Sequence, residues 1–369
     1  MLHRQRIVFT VTNDLVFDQR MQRICASLQA AGYHVLLVGR RRRNSPPLSE
    51  QPFAQKRLAP FFETGFLFYA AYNLRLFLFL LSVKCDAFCA IDLDTALPVL
   101  WTSKLRRKKR FFDAHELFCE MKEVVTRPGR YRFWKMVERY AVPQFPLGYT
   151  VNDPIKQEFK DMYGLDYAVV RNVTVLREQP QVAKENFLIY QGAVNEGRSF
   201  ETLIPAFRFI DHPLHIYGDG NFLAAAKGLV QLLNLQDKII FKGKAVPDHL
   251  RSITPRALLG FTLFENKGLS NYYSLGNRFF DYVHAGIPQI CVDYPVYREL
   301  NAQYEVAVLI EDLSVESLAQ TLNQTLADEA LLERLTQNCL HARKVWNWQE
   351  EEKKLIQFYQ QHLPLRESR

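Results

Sequence analysis

Ser274-Leu275-Gly276-Asn277-Arg278-Phe279-Phe280-Asp281-Tyr282-Val283-His284-Ala285-Gly286-Ile287-Pro288 decides the fold. Asn277 and Asp281 stand four residues apart and share one face of a helix. Phe279, Phe280, Tyr282 and Val283 fill the remaining faces and call for burial. Ala285-Gly286 ends the helix, and Ile287 to Val292 reads as a short buried strand. A helix that starts on Ser, Gly, Asn and Arg suits an anion, because its free N–H groups and dipole point outward. The carboxylate of Asp281, one turn further in, suits the two hydroxyls of a ribose. The same residues also make an ordinary capped helix of an α/β unit.

Outward from this stretch the chain alternates strand and helix. Ile7 to Thr12 is a strand, Asp18 to Ala31 an amphipathic helix closed by Gly32, and Tyr33 to Gly39 a second strand. This is a βαβ unit with parallel strands. The first turn has no Gly-x-Gly-x-x-Gly, so a dinucleotide fingerprint is absent there. Further strands are expected at Ala87–Ile91, Phe111–Phe112, Gly148–Val151 and Tyr167–Val170. In the second half they are expected at Phe187–Tyr190, Leu214–Tyr217, Ile239–Gly243 and Ala257–Leu263. At 369 residues two domains are expected. We set them at 1–175 and 186–345, with a polar linker from Arg177 to Glu185 and a last helix within 346–369.

Three stretches carry chemistry. Asp113-Ala114-His115-Glu116 follows a strand, at the end where open α/β sheets bind ligands; a His between two carboxylates also suits a structural hydrogen-bond knot. Gln191 to Ser199, with Gly192 and Arg198, is a Gly-bearing turn with a basic residue before a helix, the form of a phosphate cradle. Gly218-Asp219-Gly220 ends another strand, where glycines permit close backbone approach.

Together these stretches resemble family 4 glycosyltransferases over most of the chain. The family's usual donor signature is Ser-Leu-Pro-Asn-Lys-x-Phe-Glu-Tyr-Met-x-x-Gly-x-Pro. Here Gly276 replaces Pro, Arg278 replaces Lys and Asp281 replaces Glu. The resemblance implies a GT-B fold, two doubly wound Rossmann-like domains facing each other across a cleft. It implies a retaining transfer of sugar from a UDP- or GDP-linked donor to a glycan or lipid-linked acceptor. Nucleotide and donor would be held by Gly192, Arg198, Gly218, Gly220, Ser274, Asn277, Arg278 and Asp281. His115, with Asp113 and Glu116, would be catalytic, and Asp14, Asp18 and Arg20 would serve the acceptor side. Ala193 stands where the family has a second basic residue. Tyr273 stands where the first Glu of its Glu-x7-Glu pair would be, which touches the donor sugar. The last helix would cross back onto the first domain. A sugar-nucleotide epimerase and a non-catalytic subunit of an envelope-polysaccharide complex are the alternatives.

No metal or other cofactor is expected. Asp92-Leu93-Asp94 has the spacing of metal-dependent transferases but lies in the first domain, away from the expected phosphates. The six cysteines form no Cys-x-x-Cys pair and read as core thiols of a reducing compartment. The net charge of +8 is uneven: residues 1–180 carry 28 Lys and Arg against 17 Asp and Glu. Basic runs at Arg40–Arg43, Arg106–Arg110 and Arg127–Lys135 point to an anionic membrane surface. No recognition helix, RNP-type aromatic pair or zinc knuckle points to nucleic acid. Residues 61–81 approach transmembrane length, but Asn73 and Arg75 sit mid-span, which favours a buried or interfacial helix. A cytoplasmic enzyme, peripheral on the inner membrane face, is the expectation.

Overall fold

The computed structural model describes residues 4–178 and 182–365. Gln179 to Gln181 of the expected linker and residues 366–369 of the expected last segment lie outside the described residues. The chain forms two compact units, Met1–Asn172 with Glu351–Arg369, and Val173–Glu350.

The described residues of the first unit form one sheet of parallel strands. They are β1 (Arg6–Thr10), β2 (His34–Arg40), β3 (Ala54–Leu58), β4 (Ala87–Ile91), β5 (Lys109–Ala114), β6 (Gly148–Thr150) and β7 (Ala168–Val169). Their order is β3-β2-β1-β4-β5-β6-β7, so the winding reverses between β1 and β4. Successive strand residues face opposite sides, and β5 shows it. Phe111 packs on Phe358 and Tyr359 of the last helix, Trp348–His362, with ring centroids 5.7 and 4.8 Å away. Phe112 packs on Phe145 (5.4 Å). Tyr33 Oη, from the turn before β2, donates to Leu363 O (3.0 Å), a further tie of the last helix to this unit.

The second unit has β8 (Leu188–Gln191), β9 (Leu214–Tyr217), β10 (Ile239–Gly243), β11 (Leu259–Thr262), β12 (Gln289–Val292) and β13 (Ala307–Ile310), again parallel. The order is β10-β9-β8-β11-β12-β13, with the reversal between β8 and β11. The opening stretch of the sequence folds as the helix Asn277–Ala285, and Gly286 ends it at φ +65°. Phe279, Phe280, Tyr282 and Val283 are all fully buried. Tyr282 Oη donates to Ile189 O and accepts from Gln191 N, both at 3.2 Å. This helix can lie so close to the sheet because Gly260 has no side chain: a Cβ there would run into the Tyr282 ring.

Three elements depart from the sequence reading. β3 is polar, Ala-Gln-Lys-Arg-Leu, because it is an edge strand and half in water. β13, the apolar run Ala307–Ile310, was not read as a strand and pairs in parallel with β12 at the edge of its sheet. The segment before the last helix, which reads as helical from Ala319 to Lys344, is two helices, Val315–Ala327 and Glu329–Ala342, parted where Asp328 caps the second by accepting from Leu331 N (2.8 Å).

Candidate functional site

Open α/β sheets bind ligands where the strand order reverses, beyond the C-terminal strand ends. Both units carry their polar constellations there.

In the second unit the loops after β8 and β11 meet: Glu265 N donates to Gly197 O (3.0 Å). The β8 loop curls through left-handed backbone at Gly192 (φ +124°), Gly197 (+81°) and Ser199 (+56°). This loop delivers Arg198, whose guanidinium lies 4.5 Å from the centroid of the Phe264 ring. Arg278, in the first turn of Asn277–Ala285, lies 5.4 Å from the same ring and 4.3 Å from that of Tyr190. Two guanidinium groups thus share Phe264, at a helix N-terminus. Arg278 is 8% exposed, and its Nη1 is buried without a hydrogen-bond partner, as is Ser199 Oγ. Buried donors almost always have acceptors, so this nitrogen is open to one, and two guanidinium groups at a helix N-terminus suit an anionic acceptor.

The remaining donor-side residues sit around this pair. Ser274 and Asn277 flank Gly276, whose N–H donates to Tyr297 Oη (2.9 Å). Asp281 accepts from Thr174 Oγ1 (2.7 Å) and Gln191 Nε2 (3.2 Å), so each carboxylate oxygen already holds one protein donor. Gly218 and Gly220 are small for a reason the sequence did not disclose. A Cβ on Gly218 would run into Gly192 O, and one on Gly220 into Val194 O and the Asn195 side chain. Their close approach is to the loop after β8. Tyr273 packs on Tyr272 (5.3 Å).

In the first unit, β4 and β5 lie in register, Ile91 beside Asp113. His115, just beyond β5, is therefore set between Asp113 of β5 and Asp92, which follows β4. Its Nδ1 is 3.5 Å from Asp92 Oδ2 and its Nε2 3.1 Å from Asp113 Oδ2. His115 N also donates to Asp92 Oδ1 (2.8 Å). Burial disfavours a charged imidazole, but Asp113 and Asp92 outweigh it and push His115 up to about 9. Arg20 Nη2 donates to Asp113 Oδ1 (2.9 Å) and Nη1 to Val170 O (3.2 Å). Burial would raise Asp113, yet Arg20 and His115 hold it below the usual carboxylate range. Asp92 and Asp94 go the other way: burial raises both, Asp94 to about 6, where Thr12 Oγ1 donates to it. Asp92 holds φ +54°, ψ −178°, a backbone conformation that strains a side-chain-bearing residue.

The two acids favour the imidazolium form of His115, in which the ring has no lone pair to act as a base. Asp113 is fully buried and meets Arg20 and His115. Arg20 is a correction: it is buried under Asp113 and belongs to this network, not to an acceptor surface. Glu116 lies near enough to Asp92 and Asp94 to raise both.

Asp14 and Asp18 line a pocket of about 470 Å³ with Asn13, Phe17, Arg42 and Ser45. It is built from the loops after β1 and β2. Asp18 caps the Gln19–Ala30 helix by accepting from Met21 N (3.1 Å) and takes Asn13 Nδ2 (3.0 Å). Asp14 takes Arg57 Nη1 (3.2 Å) and the Ser45 hydroxyl. Phe17, 74% exposed, offers an open ring.

Phe264, Tyr190 and Phe17 were not singled out from sequence, and Asp92 was met there only in the Asp92-Leu93-Asp94 spacing, not as a partner of His115. No group of three or more His, Cys, Asp or Glu placed to hold a metal occurs among the described residues.

Residues 173–341, all within the second unit, match the family model described as glycosyl transferases group 1. The chain is accordingly a transferase. No curated protein matches the chain. Among solved structures it is similar to sucrose-phosphate synthase from Thermosynechococcus elongatus, with 18% identity, 97% of this chain and 99% of that chain covered, and a TM-score of 0.79. It is similar to Anabaena HepE, solved in complex with UDP and glucose, at 13% identity, 97% and 100% coverage and TM-score 0.77. It is also similar to WaaG, a glycosyltransferase involved in lipopolysaccharide biosynthesis, at 16% identity, 95% and 98% coverage and TM-score 0.76. These likenesses extend over both units and give the fold, GT-B.

Proposed function

We propose that the chain is a retaining family 4 glycosyltransferase that moves a sugar from a UDP- or GDP-linked donor to a glycan or lipid-linked acceptor of the cell envelope. The observation that carries the reading is the pair Arg198 and Arg278 on Phe264, with Arg278 Nη1 unmatched. When the glycosidic bond breaks, negative charge grows on the leaving diphosphate. Two fixed guanidinium groups and a helix N-terminus in a buried site stabilise that charge without reorganising. The reading needs no metal. The pocket at Asp14, Asp18 and Phe17 is its acceptor side. The envelope assignment draws on the WaaG likeness and on the basic first unit. A cytoplasmic location belongs to the same reading, supported by free, buried Cys25, Cys85, Cys89, Cys119, Cys291 and Cys339.

The test is thermal unfolding with UDP, GDP and their sugar conjugates, followed by acceptor-dependent release of the free diphosphate in the presence of a chelator. Stabilisation by one nucleotide and chelator-resistant turnover is the expected result. A chain that no nucleotide stabilises is not a donor-using transferase.

A further inference from the structure

The Gly65–Ser82 helix is apolar on two opposite sides. One stripe, Phe68, Tyr72, Leu76 and Leu80, is buried. Tyr72 Oη from it donates to Val11 O (2.5 Å), just beyond β1, which docks the helix on the unit. The other stripe runs through Phe66, Leu67, Leu74 and Leu78 and stands in solvent; Leu74 is 61% and Leu78 57% exposed. A helix packed on a soluble unit normally turns polar residues outward. Two neighbouring helices, Ala96–Leu105 and Pro128–Ala141, widen this surface. Trp101 joins all three: its ring meets Phe77 (6.4 Å), and its Nε1 donates to Tyr140 Oη (3.4 Å). Trp101, Leu105 and Met136 are also exposed. A continuous exposed apolar surface marks an interaction site.

Charge identifies the partner. The three helices carry Arg75, Lys104, Arg130, Arg132, Lys135 and Arg139 against one acid, Glu138. Glu138 is buried and taken by Lys135 (2.8 Å), so no acid on these helices faces outward. Lys104, Arg130, Arg132 and Arg139 are exposed at the rim. An apolar band with long basic side chains beside it and no exposed acid is the surface that lies on an anionic bilayer, with Leu and Trp at the acyl boundary and Arg at the headgroups. We infer that this three-helix face docks the protein on anionic lipid bilayers. Two arginines of the sequence's basic runs are not part of it. Arg40 is buried, pairs with Glu63 (3.1 Å) and lies over the Phe68 ring. Arg106 Nη1 donates to Leu80 O (2.6 Å) and Val83 O (2.7 Å), closing the end of the apolar helix. The inference rests on the first unit alone and is independent of the transfer reaction.

The test uses the full chain with phosphatidylcholine vesicles, with and without phosphatidylglycerol. Binding is expected only with the anionic lipid and is lost in high salt. Trp101 emission should shift to the blue and be quenched by brominated acyl chains, and the signal should vanish in Trp101→Phe. Leu74→Glu with Leu78→Glu, both at exposed positions, should weaken binding by at least about tenfold, since apolar burial and charge act together, while nucleotide-induced stabilisation is unchanged. Absence of binding at low salt overturns the inference. So does binding that Leu74→Glu with Leu78→Glu leaves intact. A concentration-dependent dimer dispersed by these substitutions, without vesicle binding, overturns it in favour of a second copy on this face.

Discussion

Arg278→Met separates a ligand-binding arginine from a structural one. Arg278 is nearly buried, its Nη1 has no acceptor, and it faces the Tyr190 and Phe264 rings. Replacing buried ionic groups by apolar side chains of similar volume is often stabilising, by about 1–4 kcal/mol. The lost cation–π contact with Tyr190 takes back about 0.5–2 kcal/mol. The ligand-free variant should therefore lie between about 1 kcal/mol less and about 3.5 kcal/mol more stable than the parent. At about 2–4 °C per kcal/mol for a unit of this size, its Tm should shift by between about −4 and +14 °C. Turnover should fall by about 2–4 kcal/mol in the barrier, roughly 30- to 1000-fold, because a fixed charge facing the leaving diphosphate is gone. The assay is calorimetry of both proteins, alone and with UDP or GDP, beside steady-state kinetics. An arginine that merely holds the fold would give a ligand-free Tm lower by more than about 4 °C, with the nucleotide-induced shift retained. That result would refute the phosphate-site reasoning.

Arg198→Ala should weaken nucleotide-induced stabilisation and cut turnover by a similar factor; full activity would remove it from the site. His115, raised from 6.5 to about 9, contributes stability that is complete below about pH 6.5 and lost as pH rises through 9, up to about 3 kcal/mol. His115→Gln should flatten that alkaline slope, and Asp113→Asn should lower the His115 titration seen by NMR. His284, whose Nε2 meets Trp346 O at 2.7 Å, is pushed by burial down to about 4. Unfolded chains then bind the extra proton, so stability should fall as pH drops from 6.5 towards 4, by about 3 kcal/mol, and His284→Gln should remove that loss. Gly220→Ala should destabilise by about 1–3 kcal/mol, because the clash is with the Val194 backbone; an unchanged Tm would contradict the loop packing.

What was legible in the sequence is what local pattern encodes. Apolar runs bounded by Gly gave most strands, and Gly286 gave the end of Asn277–Ala285. The pattern was silent where tertiary context decides. β3 is polar because water covers an edge, and the apolar Gly65–Ser82 stripe shows two like faces in sequence although only one is buried. The site was legible in its charged residues and not in its scaffolding. Arg198, Arg278 and His115 announce chemistry by type and place. Phe264 and Asp92 matter because parallel strands far apart in sequence come into register beside them. The same limit explains Arg20, Gly218 and Gly220. Arginine on an early helix reads as surface charge until Asp113 is found buried against it. Gly-Asp-Gly reads as an opening for ligand until the Gly192 loop is found filling it. Foldable sequences satisfy polar groups, relax backbones and hide apolar faces, and they break those rules where function demands it. Among the breaches in the described residues are an unmatched buried Nη1 on Arg278, a strained Asp92 behind His115, and an uncovered apolar stripe at Leu74 and Leu78. Arg278→Met, His115→Gln and Leu74→Glu with Leu78→Glu probe them one by one.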